Sequence, residues 1–175
     1  EPGDEFTDLQ IDGFRAVLAD LERAEIAPGI VHAANSAAAI AFPAARFDLV
    51  RVGIAVYGLA PSNALAGKVA LRPALSLHAR VTHVQRLPAG TRLSYGRWYQ
   101  LDRDATVVTV PIGYGDGVRR TLATGGGTVL IAGERHPIAG TITMDQLMVD
   151  VGDVPVGVGD EVVLLGAQEA EEITA

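Results

Sequence analysis

The chain has 175 residues, 49% of them hydrophobic and 20% charged, and this composition excludes an intrinsically disordered protein. A formal net charge of −7 argues against nucleic acid as the main partner, and no apolar run approaches the roughly 18 residues of a membrane span. The absence of cysteine excludes disulfides and thiolate metal sites, and it fits a reducing compartment.

The first third of the sequence predicts alternating helices and strands. An amphipathic helix is predicted over residues 5–25, and apolar runs at 30–34 and 48–54 predict two strands. The segment 35–43 between these strands predicts a short helix that ends at a proline. Near-continuous apolar strands joined by a helix are typical of parallel βα units. Two strands are too few to close a core, so we expect this part to be the end of a truncated α/β domain.

A different pattern begins after residues 61–67, a segment whose composition predicts a linker. Alternating apolar and polar residues at 75–82 predict a strand. Further strands are predicted at 105–112, 127–132, 146–151 and 161–165. Glycine and proline recur between them, which is typical of an antiparallel sheet or barrel. The glycines at 125–127 lack the spacing of a phosphate-binding loop and predict a hairpin turn.

Polar residues near the two early strands are candidates for chemistry. Ser36 follows Asn35 where a strand passes into a helix, so it either binds an anion or only caps the helix. Arg51 lies in an apolar run, where an unpaired charge is costly to bury. It either pairs with a carboxylate or points into a site at the end of the strand. Gly53 either admits a phosphate close to the backbone or serves packing.

The second part of the chain contains three more candidate segments. Tyr95 lies beside a glycine in a strand-like stretch, where a tyrosine is more often a packing residue than a catalytic one. Glycines interleave with Tyr114 and Asp116 in residues 111–117, which leaves a functional loop and a plain turn both open. The segment 143–146 stands between a glycine turn and a strand. No metal site is predicted, because ligand spacing is lacking among the histidines, His32, His78, His83 and His136.

Together and in this order, these segments resemble alanine racemase, a family of enzymes that use pyridoxal 5′-phosphate (PLP). The matching stretches are His32 to Ala38, Arg51 to Gly58, Leu93 to Gly96, Pro111 to Gly117 with Arg120, and Thr141 to Gln146. The resemblance implies an α/β part at residues 1–66, the last part of a TIM-type, PLP-binding βα barrel truncated at its N-terminus. It implies that residues 67–175 form an all-β, mostly antiparallel domain truncated at its C-terminus.

The resemblance also implies which residues bind the cofactor. Ser36 and the backbone of Gly53 and Ile54 would hold the phosphate of PLP, with Asn35 beside it, and Arg51 would face the pyridine nitrogen. Barrel sites of this kind form at the carboxyl ends of the strands.

Further roles in catalysis and at the entrance follow from the same resemblance. Tyr95 would exchange the α-proton on the L-alanine side, acting in the active site of the second subunit of a head-to-tail homodimer. Met144 would bind the substrate carboxylate through its backbone N–H. Tyr114, Arg120 and Asp145 would line the entrance or support it.

Departures from the family pattern limit what the chain alone is expected to do. In the family, PLP is bound covalently by a lysine on the barrel's first strand, and that region is missing here. Lys68, the single lysine, lies in the predicted linker and matches no such motif. Thr141 and Thr143 stand where many relatives have arginine and cysteine, which leaves the entrance chemistry open. We therefore expect the full-length protein to be an isomerase and the isolated chain to be inactive.

The expected function is the interconversion of L-alanine and D-alanine through a PLP imine, which would supply D-alanine for peptidoglycan in the cytoplasm. Two alternatives stay open: an amino-acid racemase of broad specificity on the same scaffold, and a non-catalytic β-rich dimerisation module. Alanine and a second copy of the full-length enzyme are the expected partners. Neither nucleic acid nor a membrane is expected to bind.

Overall fold

A computed structural model describes residues 3–174 of the chain. The chain forms two compact units that divide between Ala74 and Leu75. Among the described residues, no helix combines the length and the apolar composition that a membrane crossing requires.

The first unit contains one pair of parallel strands with a helix between them. Its elements are α1 (Glu5–Arg23), β1 (His32–Asn35), α2 (Ser36–Ala41) and β2 (Leu49–Arg51). His32 pairs with Leu49, and Asn35 pairs with Arg51, so β1 and β2 run in parallel as the apolar runs predict. The carboxyl ends of both strands therefore lie side by side. Ile11 of α1 is buried in a small core with Ala34 and Ala45.

The segment that follows β2 folds back on itself within the first unit. It contains single turns of 3₁₀ helix at Ile54–Tyr57 and Asn63–Leu65. The N–H of Ala74 donates to the carbonyl of Tyr57 at 3.0 Å. Gly58 has a φ of +78° and lies so close to Arg72 that a Cβ there would be 1.8 Å from the Arg72 carbonyl oxygen. The predicted linker at 61–67 lies inside the first unit, which extends to Ala74. The domain boundary after residue 66 stays a prediction.

The second unit is built almost entirely of strands. They are β3 (Leu77–Arg80), β4 (His83–Leu87), β5 (Arg92–Leu93), β6 (Tyr99–Gln100), β7 (Ala105–Val110), β8 (Thr128–Ile131), β9 (Glu134–Pro137), β10 (Leu147–Gly152), β11 (Glu161–Gln168) and β12 (Glu171–Ile173), with a short helix α3 (Thr121–Thr124). One sheet has the order β10-β7-β4, and another has the order β12-β11-β8-β9, with β3 also paired to β11. These pairings and the β5–β6 pair are antiparallel, which confirms the prediction for this domain.

Apolar side chains from both sheets form the core of the second unit. Val108 of β7 pairs with Val149 of β10 and with Val84 of β4. Val129 of β8 and Val162 of β11 belong to the same cluster as Val108 and Val149, and all four are fully buried. Burying a valine side chain contributes about 1.5–3 kcal/mol. The two sheets are therefore held together by this shared apolar layer, and the loops between their strands carry the candidate residues of the second unit.

The glycines at 125–127 do not form the predicted hairpin turn. Gly125 ends α3, Gly126 has a φ of +76°, and the N–H of Gly127 donates to the carbonyl of Leu122 at 2.8 Å. This bond closes the helix end in the manner of a Schellman motif. The prediction was wrong because a helix of four residues is too short to show a helical period in the sequence.

Candidate functional site

Ser36 lies at the junction of the two parallel strands and is 5% exposed. Its hydroxyl oxygen accepts the N–H of Gly53 at 2.8 Å and the N–H of Ala55 at 3.4 Å. A serine hydroxyl has two acceptor lone pairs and one proton to donate. Because both lone pairs are taken, the proton of Ser36 is left to donate to an acceptor such as a phosphate oxygen. The donor set at this strand edge therefore fits an anionic group.

Asn35 and Arg51 have more specific local roles than the sequence indicates. The side-chain oxygen of Asn35 accepts the N–H of Ala38 at 3.0 Å, so Asn35 rather than Ser36 is the side-chain cap of α2. The guanidinium of Arg51 is exposed and donates to the carbonyl of Ala33 at 3.2 Å. No carboxylate in residues 3–174 forms an ion pair with it. The salt-bridge alternative for Arg51 is therefore not seen in the described part of the chain.

Gly53 and Ile54 form the turn that faces Ser36. A Cβ added to Gly53 would have only the Ser36 hydroxyl oxygen nearby, at 4.0 Å. Packing among the described residues therefore does not require glycine at this position, and the space above the turn is open. Ile54 begins a 3₁₀ helix, and its side chain is exposed.

Five of the predicted site residues meet in a cleft of the second unit. They are Tyr95, Tyr114, Arg120, Met144 and Asp145. The cleft has a volume of about 670 Å³ and is open to solvent. Its lining comes from three stretches that are far apart in the sequence. The structure thus brings together the catalytic, substrate and entrance candidates of this unit.

The backbone around Tyr95 is unusual. Tyr95 is 73% exposed, and it stands between Ser94, with a φ of +59°, and Gly96, with a φ of +77°. Arg97 also has a positive φ, of +49°. A non-glycine residue in this region costs of the order of 1–3 kcal/mol and persists only where its surroundings fix it. The loop that presents Tyr95 is therefore strained and must be held by other contacts.

The glycines at 113–117 allow one loop to lie directly against another. The N–H of Tyr114 donates to the carbonyl of Thr143 at 2.9 Å, and the N–H of Gly115 donates to the carbonyl of Met144 at 2.8 Å. A Cβ at Gly113 would lie 2.3 Å from the Thr143 carbonyl oxygen. The close approach, rather than a plain turn, explains why glycine occurs here.

Positive charge lies beside the aromatic ring of Tyr114. The Arg120 guanidinium carbon is 5.4 Å from the ring centroid, within the range of a cation–π contact. Next to this loop, the tight turn from Thr143 to Gln146 is closed by two bonds to the Gln146 carbonyl, each of 2.9 Å. Within residues 3–174, the N–H of Met144 donates to no protein acceptor. That N–H therefore has the capacity to bind a carboxylate.

Sequence reasoning missed Trp98, which joins the loop around Tyr95 to Thr141. The indole Nε1 of Trp98 donates to the Thr141 hydroxyl at 3.0 Å, and that hydroxyl donates to the Tyr95 carbonyl at 2.9 Å. Trp98 is the single tryptophan of the chain and follows Tyr95 by three residues, which is the one signal that points to it. The described residues contain no group of histidines and carboxylates able to hold a metal ion.

Comparison with known proteins gives a consistent result along the whole chain. Residues 1–61 match the alanine racemase N-terminal domain, and residues 74–175 match the alanine racemase C-terminal domain. An alanine racemase of Symbiobacterium thermophilum is 49% identical over 176 aligned positions, which cover 100% of this chain and 46% of that protein. One of Thermobifida fusca is 45% identical over 100% of this chain and 46% of its own length. The chain thus spans about half the length of these relatives.

Solved structures agree with the sequence comparison. The alanine racemase of Bacillus anthracis with bound L-Ala-P has a TM-score of 0.85 at 40% identity, covering 97% of this chain and 44% of that one. The alanine racemase of Clostridium difficile in complex with cycloserine has a TM-score of 0.88 at 37% identity, covering 97% of this chain and 45% of that one. The fold is accordingly the last part of a βα barrel followed by a mostly antiparallel β domain. With family matches to both of its parts, the chain belongs to the alanine racemase family.

Proposed function

We propose that the full-length protein is a PLP-dependent racemase that interconverts L-alanine and D-alanine. One observation carries the proposal: residues from separate stretches around Tyr95, Tyr114 and Met144 meet in a single cleft. The cleft contains the Tyr95 hydroxyl, which can exchange a proton. It also contains the Arg120 guanidinium and the Met144 N–H, which can face a bound carboxylate. A cytoplasmic location and a role in supplying D-alanine for peptidoglycan belong to the same proposal.

Ser36 and the turn after β2 would bind the phosphate of PLP. The argument rests on the buried Ser36 hydroxyl, whose proton is left to donate, and on the open space above Gly53. Asn35 would support this arrangement by fixing the start of α2. Ile54 would contribute its backbone N–H. When bound, PLP withdraws electrons from the α-carbon of the substrate.

Arg51 would face the pyridine nitrogen of the cofactor. A guanidinium donates hydrogen bonds and accepts none, so it would leave that nitrogen without a proton of its own. This arrangement would limit how far electrons flow into the ring and so reduce side reactions such as transamination. We assign the covalent attachment of PLP to a lysine outside residues 1–175, since Lys68 is exposed, lies after β2 and matches no motif for such a lysine.

Tyr95 would take up and return the α-proton on the L-alanine side, at its hydroxyl oxygen. Its exposure fits a side chain that acts in the active site of a second subunit of a homodimer. Arg120 lines the same cleft, where it would line the entrance or support it. Met144 would bind the substrate carboxylate through its N–H, and Tyr114 and Asp145 would line the entrance.

The direct test is to express the full-length protein, add PLP and L-alanine, and measure D-alanine formation and the uptake of solvent deuterium at Cα. We expect both, together with a dimer in sedimentation velocity. Racemisation of several other amino acids at comparable kcat/KM would favour the broad-specificity alternative. A dimer that forms no D-alanine from either direction would favour the non-catalytic module and contradict the proposal.

A further inference from the structure

We infer that Thr141 is a positioning residue for Tyr95. The inference rests on the proposed function, since it concerns the tyrosine that exchanges the α-proton. Thr141 does not line the cleft that contains Tyr95. We assign it a role through the backbone that presents Tyr95, because its side chain and carbonyl bond to that loop.

Three hydrogen bonds connect Thr141 with the loop of residues 94–98. The hydroxyl of Ser94 donates to the carbonyl of Thr141 at 2.6 Å. The hydroxyl of Thr141 donates to the carbonyl of Tyr95 at 2.9 Å and accepts the indole N–H of Trp98 at 3.0 Å. Thr141 thus binds the residue before Tyr95, Tyr95 itself and the third residue after it.

These bonds occur where the loop most needs them. Ser94 and Arg97 both have a positive φ without being glycine, so the local backbone does not favour this conformation by itself. The Tyr95 ring is mostly exposed, so packing within this chain holds it only weakly. The direction of the Tyr95 side chain therefore depends on its backbone. Arg92 donates to the carbonyl of Arg97 at 3.0 Å, and Thr141 is the residue whose hydroxyl bonds to the carbonyl of Tyr95 itself.

The ring of Trp98 packs against Tyr99, and this contact orients its indole N–H toward Thr141. Its ring meets the ring of Tyr99 edge-on, with centroids 6.0 Å apart and an interplanar angle of 73°. Tyr99 in turn donates to Asp150 at 3.1 Å. The contact series links the loop around Tyr95 to strand β10 of the core.

Thr141→Val in the full-length enzyme removes both hydroxyl bonds and keeps the shape of the side chain. We expect kcat to fall roughly 10- to 100-fold, because small misplacements of a reacting group cost about that much, while KM changes little. Thr141→Ser keeps the hydroxyl and should restore most of kcat. Thr82→Val is the matched control, since Thr82 also donates to a backbone carbonyl, that of Thr109 at 3.1 Å, but lies outside the cleft.

A second readout does not depend on turnover. The indole ¹⁵N–¹H resonance of Trp98, assigned by its loss in Trp98→Phe, should move in Thr141→Val to the position of an indole without an acceptor. It should stay in place in Thr141→Ser and Thr82→Val. If Thr141→Val does not fold, Trp98→Phe removes one bond of the same network and should lower kcat by a smaller factor without raising KM.

The outcomes separate the inference from the proposed function. A wild-type enzyme without racemase activity contradicts the proposed function before any variant is compared. An active wild type with an unchanged kcat in Thr141→Val overturns the inference, wherever the indole resonance lies. A rise in KM alone also overturns it, since that result would indicate lost substrate binding and not a misplaced Tyr95.

Discussion

The hydroxyl of Tyr99 donates a hydrogen bond of 3.1 Å to Oδ2 of Asp150, a carboxylate that is largely buried. The other oxygen of Asp150 accepts the N–H of Gly152 at 2.9 Å. Burial of the phenol and then the negative charge of Asp150 raise the pKa of Tyr99 to about 12. This hydrogen bond connects β6 to β10. Because the pKa of Tyr99 is raised, the unit should lose stability at alkaline pH.

The first prediction concerns that pH dependence. A phenol whose pKa is raised on folding stabilises the folded state below the unfolded pKa of about 10, and this stabilisation is lost as the pH rises through about 12. The free energy of unfolding of the full-length protein should therefore fall across this window, and less steeply in Tyr99→Phe. Urea denaturation at several pH values measures it. Tyr57→Phe, which removes an exposed phenol, should behave like the wild type.

The second prediction concerns the proposed base. Tyr95→Phe in the full-length enzyme should lower racemisation strongly, and more for proton removal from L-alanine than from D-alanine, because the ring is kept while the hydroxyl is lost. Uptake of solvent deuterium into each enantiomer measures the two directions separately. With Tyr57→Phe as the matched control, wild-type exchange into L-alanine in Tyr95→Phe would show that Tyr95 is not the base.

The third prediction concerns the phosphate site. Ser36→Ala should weaken PLP binding by about 10-fold, since it removes a buried hydroxyl donor. It should also lower stability by about 0.5–1.5 kcal/mol, because the hydrogen bond from the Gly53 N–H is lost. Fluorescence titration with PLP gives the affinity. Ser62→Ala is a suitable control, because the Ser62 hydroxyl is buried without a partner in the described structure. Equal affinities in the two variants would place the phosphate elsewhere.

The fourth prediction concerns the partner of the pyridine nitrogen. Arg51→Glu replaces a donor by a carboxylate that accepts, so the nitrogen should become protonated and transamination per turnover should rise. The cofactor absorbance spectrum and the ratio of pyruvate to D-alanine formed report the change. Arg46→Glu is the control, since Arg46 also donates to a backbone carbonyl, that of Ala39 at 2.8 Å. An unaltered spectrum and ratio in Arg51→Glu would remove Arg51 from the nitrogen.

The fifth prediction compares two glycines. Gly113→Ala should separate the loop of Tyr114 from the turn at Met144, because the new Cβ would lie 2.3 Å from the Thr143 carbonyl oxygen. We expect reduced stability and a lower kcat/KM. Gly13→Ala, in α1 with nothing within 4 Å of the new Cβ, should instead stabilise the protein by about 0.5–1 kcal/mol. Thermal unfolding of both variants checks the two signs, and a stabilised Gly113→Ala would contradict the packing of this loop.

The sequence predicts the strands with continuous or alternating apolar residues, such as β7 with its run of buried valines. It misses β5 and β6, which have two residues each and therefore no measurable period. It also misses β9, where Glu134 and Arg135 are exposed and only His136 is buried. Short or largely exposed strands are defined by their neighbours, which a local pattern does not contain.

The candidate site shows a similar division. The resemblance selects Tyr95, Tyr114 and Met144, and the structure places them in one cleft. The bonds that hold Tyr95 in place escape prediction, because Thr141 lies far from Tyr95 in the sequence and threonine occurs in many unremarkable positions. The catalytic roles of Tyr95, Tyr114 and Met144 are predictions, which the variants above test.

The contact between Gly58 and Arg72 has a consequence for recombination between relatives. A crossover at residue 67 would take position 58 from one parent and position 72 from another. If the first parent had a residue other than glycine at position 58, its Cβ would collide with the carbonyl of residue 72. The hydrogen bond from the Ala74 N–H to the Tyr57 carbonyl would likewise join segments from two parents. Chimeras that exchange the β domain should therefore be joined after Ala74, where both contacts stay within one parental sequence.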